Sequence, residues 1–161
     1  MLRTMRFTTL VVSLLAVIAA ARPAHAKWPP WLSIETPVNP FDGSTRGAVC
    51  LVHAAMHDGP PGVSALSATA EGLVAGARRS IALKLDVTSR PGVFAVRKQW
   101  PSEGAWVLRI TLESTTAIVA LDRGDNVASV RIPTTVAEGR PIPRAVVARD
   151  IDSTLSVASA H

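Results

Sequence analysis

The densest group of potential ligands in the chain is Cys50, His53, Met56 and His57, followed at once by Asp58-Gly59-Pro60-Pro61-Gly62. Thiolate, imidazole and thioether are the donors that copper proteins use. Whether they converge depends on local structure. In a strand, four residues advance about 13 Å, so His53 and His57 lie on one face with side chains too far apart to share an ion. Cys50 and Met56 then turn the other way, into the core beside Val52 and Ala54. In a helix, the two histidines stand one turn apart and can chelate, with Met56 adjacent. The flanks favour a strand over 48–57: the segment has ten residues, follows Gly47 and ends at a Gly/Pro loop. No third histidine is near, because His25 lies in the leader described below and His161 is terminal. On this reading the cluster holds no metal, and Cys50 is a small buried hydrophobe.

Hydrolytic chemistry finds less. Gly62-Val63-Ser64-Ala65-Leu66 lacks the second glycine of a nucleophile elbow. Neither central histidine has an acid partner or a nucleophile placed by motif. Glu71-Gly72-Leu73-Val74-Ala75-Gly76 lacks the Lys-Ser/Thr that would make a phosphate loop. Glu103 and Asp125 fall in turns, where solvated charge is expected. No residue is therefore assigned a catalytic, cofactor-binding or metal role, and no cofactor is expected.

The elements that position these residues are punctuated by proline and glycine. Ile81, Leu83, Leu85 and Val87 alternate with Ala82, Lys84, Asp86 and Thr88. Trp106, Leu108, Ile110 and Leu112 do the same against Val107, Arg109, Thr111 and Glu113. Strict alternation is what a half-buried strand requires. Further strands are expected at 32–36, 48–57, 65–70, 92–98, 117–122 and 127–132. Asp122-Arg123-Gly124-Asp125-Asn126 reads as the hairpin turn joining the last two, with Gly124 free to take a positive φ. Eight short strands without βαβ spacing point to an all-β, antiparallel, immunoglobulin-like sandwich of about seven or eight strands. Lys27-Trp28-Pro29-Pro30-Trp31 reads as a stiff arm docked on its edge. Beyond Pro133 the Pro141-Ile142-Pro143 bend leads to Val147, Ile151 and Leu155, which recur every four residues and predict a short C-terminal helix or a loosely attached tail.

The first 26 residues differ in kind. Arg3 and Arg6 precede an apolar run from Phe7 to Ala21, and Ala24-His25-Ala26 offers small residues at a signal-peptidase site. The expectation is a signal peptide over 1–26 cleaved after Ala26, a sandwich domain over 27–132 and a proline-containing extension over 133–161. The run falls short of the roughly 20 residues that span a bilayer, so no membrane span is expected after cleavage. The whole chain of 161 residues carries 17 Lys+Arg against 12 Asp+Glu. Without the three leader arginines the balance is 14 against 12. A surplus of two, spread along the chain, leaves no footprint for nucleic acid. One cysteine in an exported chain forms no internal bridge, so packing alone must hold the core.

The stretch from Gly92 to Ile110 runs strand, Pro/Gly turn, aromatic-led strand: Gly92-Val93-Phe94-Ala95-Val96-Arg97-Lys98-Gln99-Trp100-Pro101-Ser102-Glu103-Gly104-Ala105-Trp106-Val107-Leu108-Arg109-Ile110. It resembles the exported bacterial immunoglobulin-like domains of the YtkA-like and FixH-like group. The resemblance implies an extracytoplasmic sandwich, and some relatives are associated with copper handling. The chain departs from copper carriers in having Lys27, not histidine, at the expected mature N-terminus, and no His-x-His or Met-rich cluster. The function expected is that of an exported, non-catalytic binding or envelope-accessory domain, periplasmic or secreted, whose partner is a protein or envelope component. The alternatives are a periplasmic copper accessory protein using His53, Met56 and His57, and a hydrolase with a hidden carboxylate site.

Overall fold

The structure, a computed structural model, describes residues 29–160. The expected leader, Lys27 and Trp28 of the expected arm, and His161 lie outside those residues. Eleven strands and one α-helix follow in order, with a 3-10 turn at Val63–Ala65 between β2 and β3: β1 (Trp31–Glu35), β2 (Cys50–Ala55), β3 (Leu66–Val74), β4 (Ala77–Ala82), β5 (Leu85–Val87), β6 (Val93–Val96), β7 (Ala105–Leu112), β8 (Thr115–Leu121), β9 (Val127–Arg131), β10 (Thr134–Ala137), β11 (Arg140–Pro143) and α1 (Ala148–Ala160).

Nine strands form two antiparallel sheets, ordered β1-β2-β6-β5 and β4-β3-β7-β8-β9. The first, with β3, β7 and β8 in the second, has the strand order of an immunoglobulin-type sandwich, flanked here by β4 and β9. Period-two side chains from both sheets meet between them: Cys50, Val52 and Phe94 from one, Ala70, Leu108, Ile110 and Val119 from the other. Trp106 lies flat against Gly72, its partner across β3 and β7, and its indole N–H donates to the Glu103 carbonyl at 2.9 Å.

The Ile81–Thr88 alternation is not one strand. β4 ends at Ala82 in the five-stranded sheet, Leu83 and Lys84 cross the edge, and β5 begins at Leu85 in the other sheet. Leu83 and Leu85 stay in the core throughout the crossing, so a single hydrophobic period spans two sheets. Val87, expected to be buried, is 69% exposed because the sheet ends beside it.

The outer face of each sheet is partly covered. The segment between β1 and β2 lays Val38 and Ala48 over Leu51, Val93 and Ala95. Arg97 staples that segment down, donating to the Asp86 carboxylate at 2.9 Å and to the carbonyls of Arg46 and Ser44. On the other sheet α1 seats Ile151 and Leu155 against Val107 and Ile118. Asp150 anchors the helix start. Its carboxylate accepts two N–H groups of Arg144 at 2.7 and 2.8 Å and reaches back to the Val147 N–H at 3.0 Å, the reach-back half of a capping box. Arg131 of β9 donates to the Asp150 carbonyl at 3.0 Å, and Arg78 of β4 pairs with Asp152. The C-terminal segment is thus a docked helix and not a loose tail. Val147 precedes it and is exposed, so it does not share the buried face of Ile151 and Leu155.

Three further expectations change. Pro141-Ile142-Pro143 is not a bend but strand β11, paired with β10 in a hairpin separate from both sheets. In the β8–β9 turn the positive φ of 61° falls on Asp125, and Gly124 is not among the residues with positive φ. Asp125 is no solvated turn acid either: it accepts the Trp100 indole N–H at 2.7 Å and pairs with Lys98 at 2.6 Å.

Candidate functional site

β2 settles the geometry of the ligand cluster. Its alternation puts Cys50, Val52 and Ala54 in the core, and Met56, just past the strand, packs half-buried on the same cluster. Burial pushes the Cys50 thiol up to about 12, so the thiolate that a metal needs is disfavoured. His53 faces the other way. His57 lies beyond the strand, in the turn closed by the Met56–Gly59 bridge, so the two histidines do not share a strand face as expected. Among the described residues no group of three His, Cys, Asp or Glu side chains is placed to hold a metal ion.

His53 has a partner that spacing did not show. Glu35, at the end of β1, stands diagonal to it across the β1–β2 ladder, and its Oε2 lies 2.6 Å from His53 Nε2. Arg90 approaches the same oxygen at 3.5 Å. Ser33 is directly opposite His53 in register. Glu35 lies within the strand expected at 32–36, with no sequence signal tying it to His53. Only the pairing of 31–35 with 51–55 brings it to His53. Each of these side chains keeps a quarter or more of its surface in water, where an ion pair contributes at most about 1 kcal/mol. The cluster locks β1, β2 and the loop before β6 together at one end of the sandwich.

At that same end, beside the opposite edge of the sheet, an open groove of about 430 Å³ separates the Pro60–Val63 turn from the loop leading into β6. Pro60, Pro61, Val63, Val87 and Phe94 supply its apolar walls, and Arg90 is its one charged lining residue. β5 forms its rim and is the sheet edge. The Thr88 N–H bonds the Val93 carbonyl, which makes Thr88 and Asp86 the residues that bond to β6. By the antiparallel alternation, Leu85, itself 6% exposed, and Val87, 69% exposed, point their N–H and C=O away from β6. The groove therefore joins an apolar trough to a short open backbone edge.

The comparisons with known proteins found no matching family model, no matching curated protein and no matching solved structure. No helix among the described residues is long and apolar enough to cross a membrane.

Proposed function

We propose that the chain is an exported, non-catalytic binding domain that accepts an extended segment of an envelope partner along β5. The observation that carries this reading is the pairing of outward N–H and C=O groups at Leu85 and Val87 with an apolar groove beside them. Strand addition needs both features: main-chain hydrogen bonds supply affinity, and a side-chain pocket supplies selectivity. The resemblance to exported immunoglobulin-like domains and the leader at 1–26 support an extracytoplasmic location, with cleavage after Ala26.

The test is selection from a displayed library of random linear peptides, run in parallel on the Val87→Pro variant. Proline at Val87 removes one outward N–H and no bond to β6, so the fold is retained. Enriched apolar peptides that shift the amide resonances of Leu85 and Val87 and fail on the variant support the reading. Absence of enrichment overturns it. Stoichiometric copper uptake lost in both His53→Ala and His57→Ala would put the copper accessory reading in its place. Mass spectrometry of the exported protein checks the cut before Lys27.

A further inference from the structure

The two sheets end at β1, β5, β4 and β9, and these edges are not blunted alike. On β2 the Ala54 N–H bonds the Gly92 carbonyl, so the register partner of Ala54, Leu32 of β1, turns its backbone away from β2. Leu32 is 2% exposed, which leaves that edge covered. A bulge beside Leu121 interrupts the pairing of β9, another device against strand addition. β4 has neither. Val74 and Ala77 close a two-residue turn with φ of 49° at Ala75 and 79° at Gly76, the signature of a type I′ hairpin, whose closing pair is hydrogen-bonded. The Leu83 N–H bonds the Ala68 carbonyl and fixes the same alternation at the far end. Ala77, Arg79 and Ile81 therefore bond to β3, while Arg78, Ser80 and Ala82 turn their N–H and C=O groups away from it. All three of these are exposed, and β4 holds no proline.

Charge decides what this edge can take. Arg78 reaches over the outer face to Asp152 of α1. Arg79 stands on the opposite face beside Ile81, and among the described residues it has no ion-pair partner. A second copy of the chain is a poor occupant. Antiparallel pairing of two β4 strands about Ser80 sets the two Arg79 side chains on a diagonal, and pairing about Arg79 sets them directly opposite, where like charges destabilise. An acidic strand has the reverse effect. In an antiparallel partner, the residue facing Arg79 makes a non-hydrogen-bonded pair with it, the kind in which side chains come closest. The partner residue two places earlier faces Ile81, which is half-buried against the core. We propose that β4 accepts an extended segment of another protein that sets Asp or Glu opposite Arg79 and an apolar residue opposite Ile81, an apolar-x-acidic pattern from N- to C-terminus. β4 and β5 belong to different sheets, so this is a second docking edge, selected by charge and independent of the first.

Titration of the purified protein with short end-blocked peptides of threonine and valine, identical but for a central Glu, Gln or Lys, tests it, followed by amide resonances. The Glu peptide is expected to shift the amides of Arg78, Ser80 and Ala82. The Gln peptide should bind about threefold more weakly, as for an exposed charge pair, and the Lys peptide more weakly again. Ser80→Pro deletes one outward N–H and no bond to β3, and should weaken the Glu peptide about fivefold. Arg79→Glu should invert the order of the Glu and Lys peptides, and Val87→Pro should leave it unchanged. No shift at the three amides, binding indifferent to Ser80→Pro, or an order that survives Arg79→Glu overturns the proposal. A Glu peptide that shifts Leu85 and Val87 instead, and is lost in Val87→Pro, overturns the β4 edge and leaves the binding function at β5 standing.

Discussion

Replacing Gly72 by alanine tests the packing that sets the core. Gly72 does not have the positive φ that would strain an L residue, so the backbone accepts alanine, and lower unfolded-state entropy favours it by about 0.5–1 kcal/mol. The obstacle is Trp106. A Cβ at this position would lie 2.8 Å from Trp106 Cδ2 and nearer still to two other ring carbons, against about 3.5–4.0 Å for relaxed carbon contacts. The ring must move by about 1 Å. It is 3% exposed and held by its bond to the Glu103 carbonyl, so moving it strains the core by about 1–3 kcal/mol and endangers a hydrogen bond worth about 1 kcal/mol. The net expectation is a destabilisation of about 2–3 kcal/mol, a large fraction of a typical domain stability of about 5–15 kcal/mol. Urea unfolding followed by tryptophan fluorescence reads it as a midpoint lowered by about 1–2 M at unchanged slope. Gly72→Ala combined with Trp106→Leu must cost less than the two single changes added together, because they share one contact. A midpoint unchanged or raised in Gly72→Ala refutes the stacking argument.

Asp125→Ala removes the acceptor of the buried Trp100 indole N–H and is expected to cost about 1–3 kcal/mol, read by the same unfolding assay; Asp122→Ala, which loses an exposed turn cap, serves as the comparison. The Arg144 guanidinium, with the Val147 N–H, holds the Asp150 carboxyl well below the usual carboxylate range. Its contribution is therefore present above the unfolded value near 3.8 and fades as pH falls below it, so Asp150→Asn should weaken α1 docking at neutral pH and lessen the loss of stability below about pH 4. Hydrogen exchange of the α1 amides against pH measures this. Cys50, buried and with its thiol raised to about 12, should resist a thiol reagent at pH 8 in the native protein and react once urea unfolds it.

Most of the strands were legible because alternation is a local property. Trp106 to Glu113 carries its own face assignment, and the inward placement of Cys50, Val52 and Ala54 follows from the period of two wherever β2 pairs. Helicity near the C-terminus was legible in the spacing of Ile151 and Leu155. The surface cluster around His53 was not. The Glu35–His53 pair depends on the register between β1 and β2, and register is a relation between segments that neither segment encodes alone. Arg90 joins them from a third segment.

The chain's own pattern determined that it builds short strands, that no disulfide ties them, and which side of β2 and β7 faces the core between the sheets, since these follow from side-chain type and spacing along one backbone. Tertiary structure decided which sheet each strand joins and where an edge stays open. The Ile81–Thr88 run shows the reason. Its apolar residues satisfy one core continuously, and that core has two walls, so the pattern reads the same on either side of the crossing at Leu83 and Lys84. Only the hydrogen-bond partners tell β4 from β5, and they leave β5 as the rim of the groove.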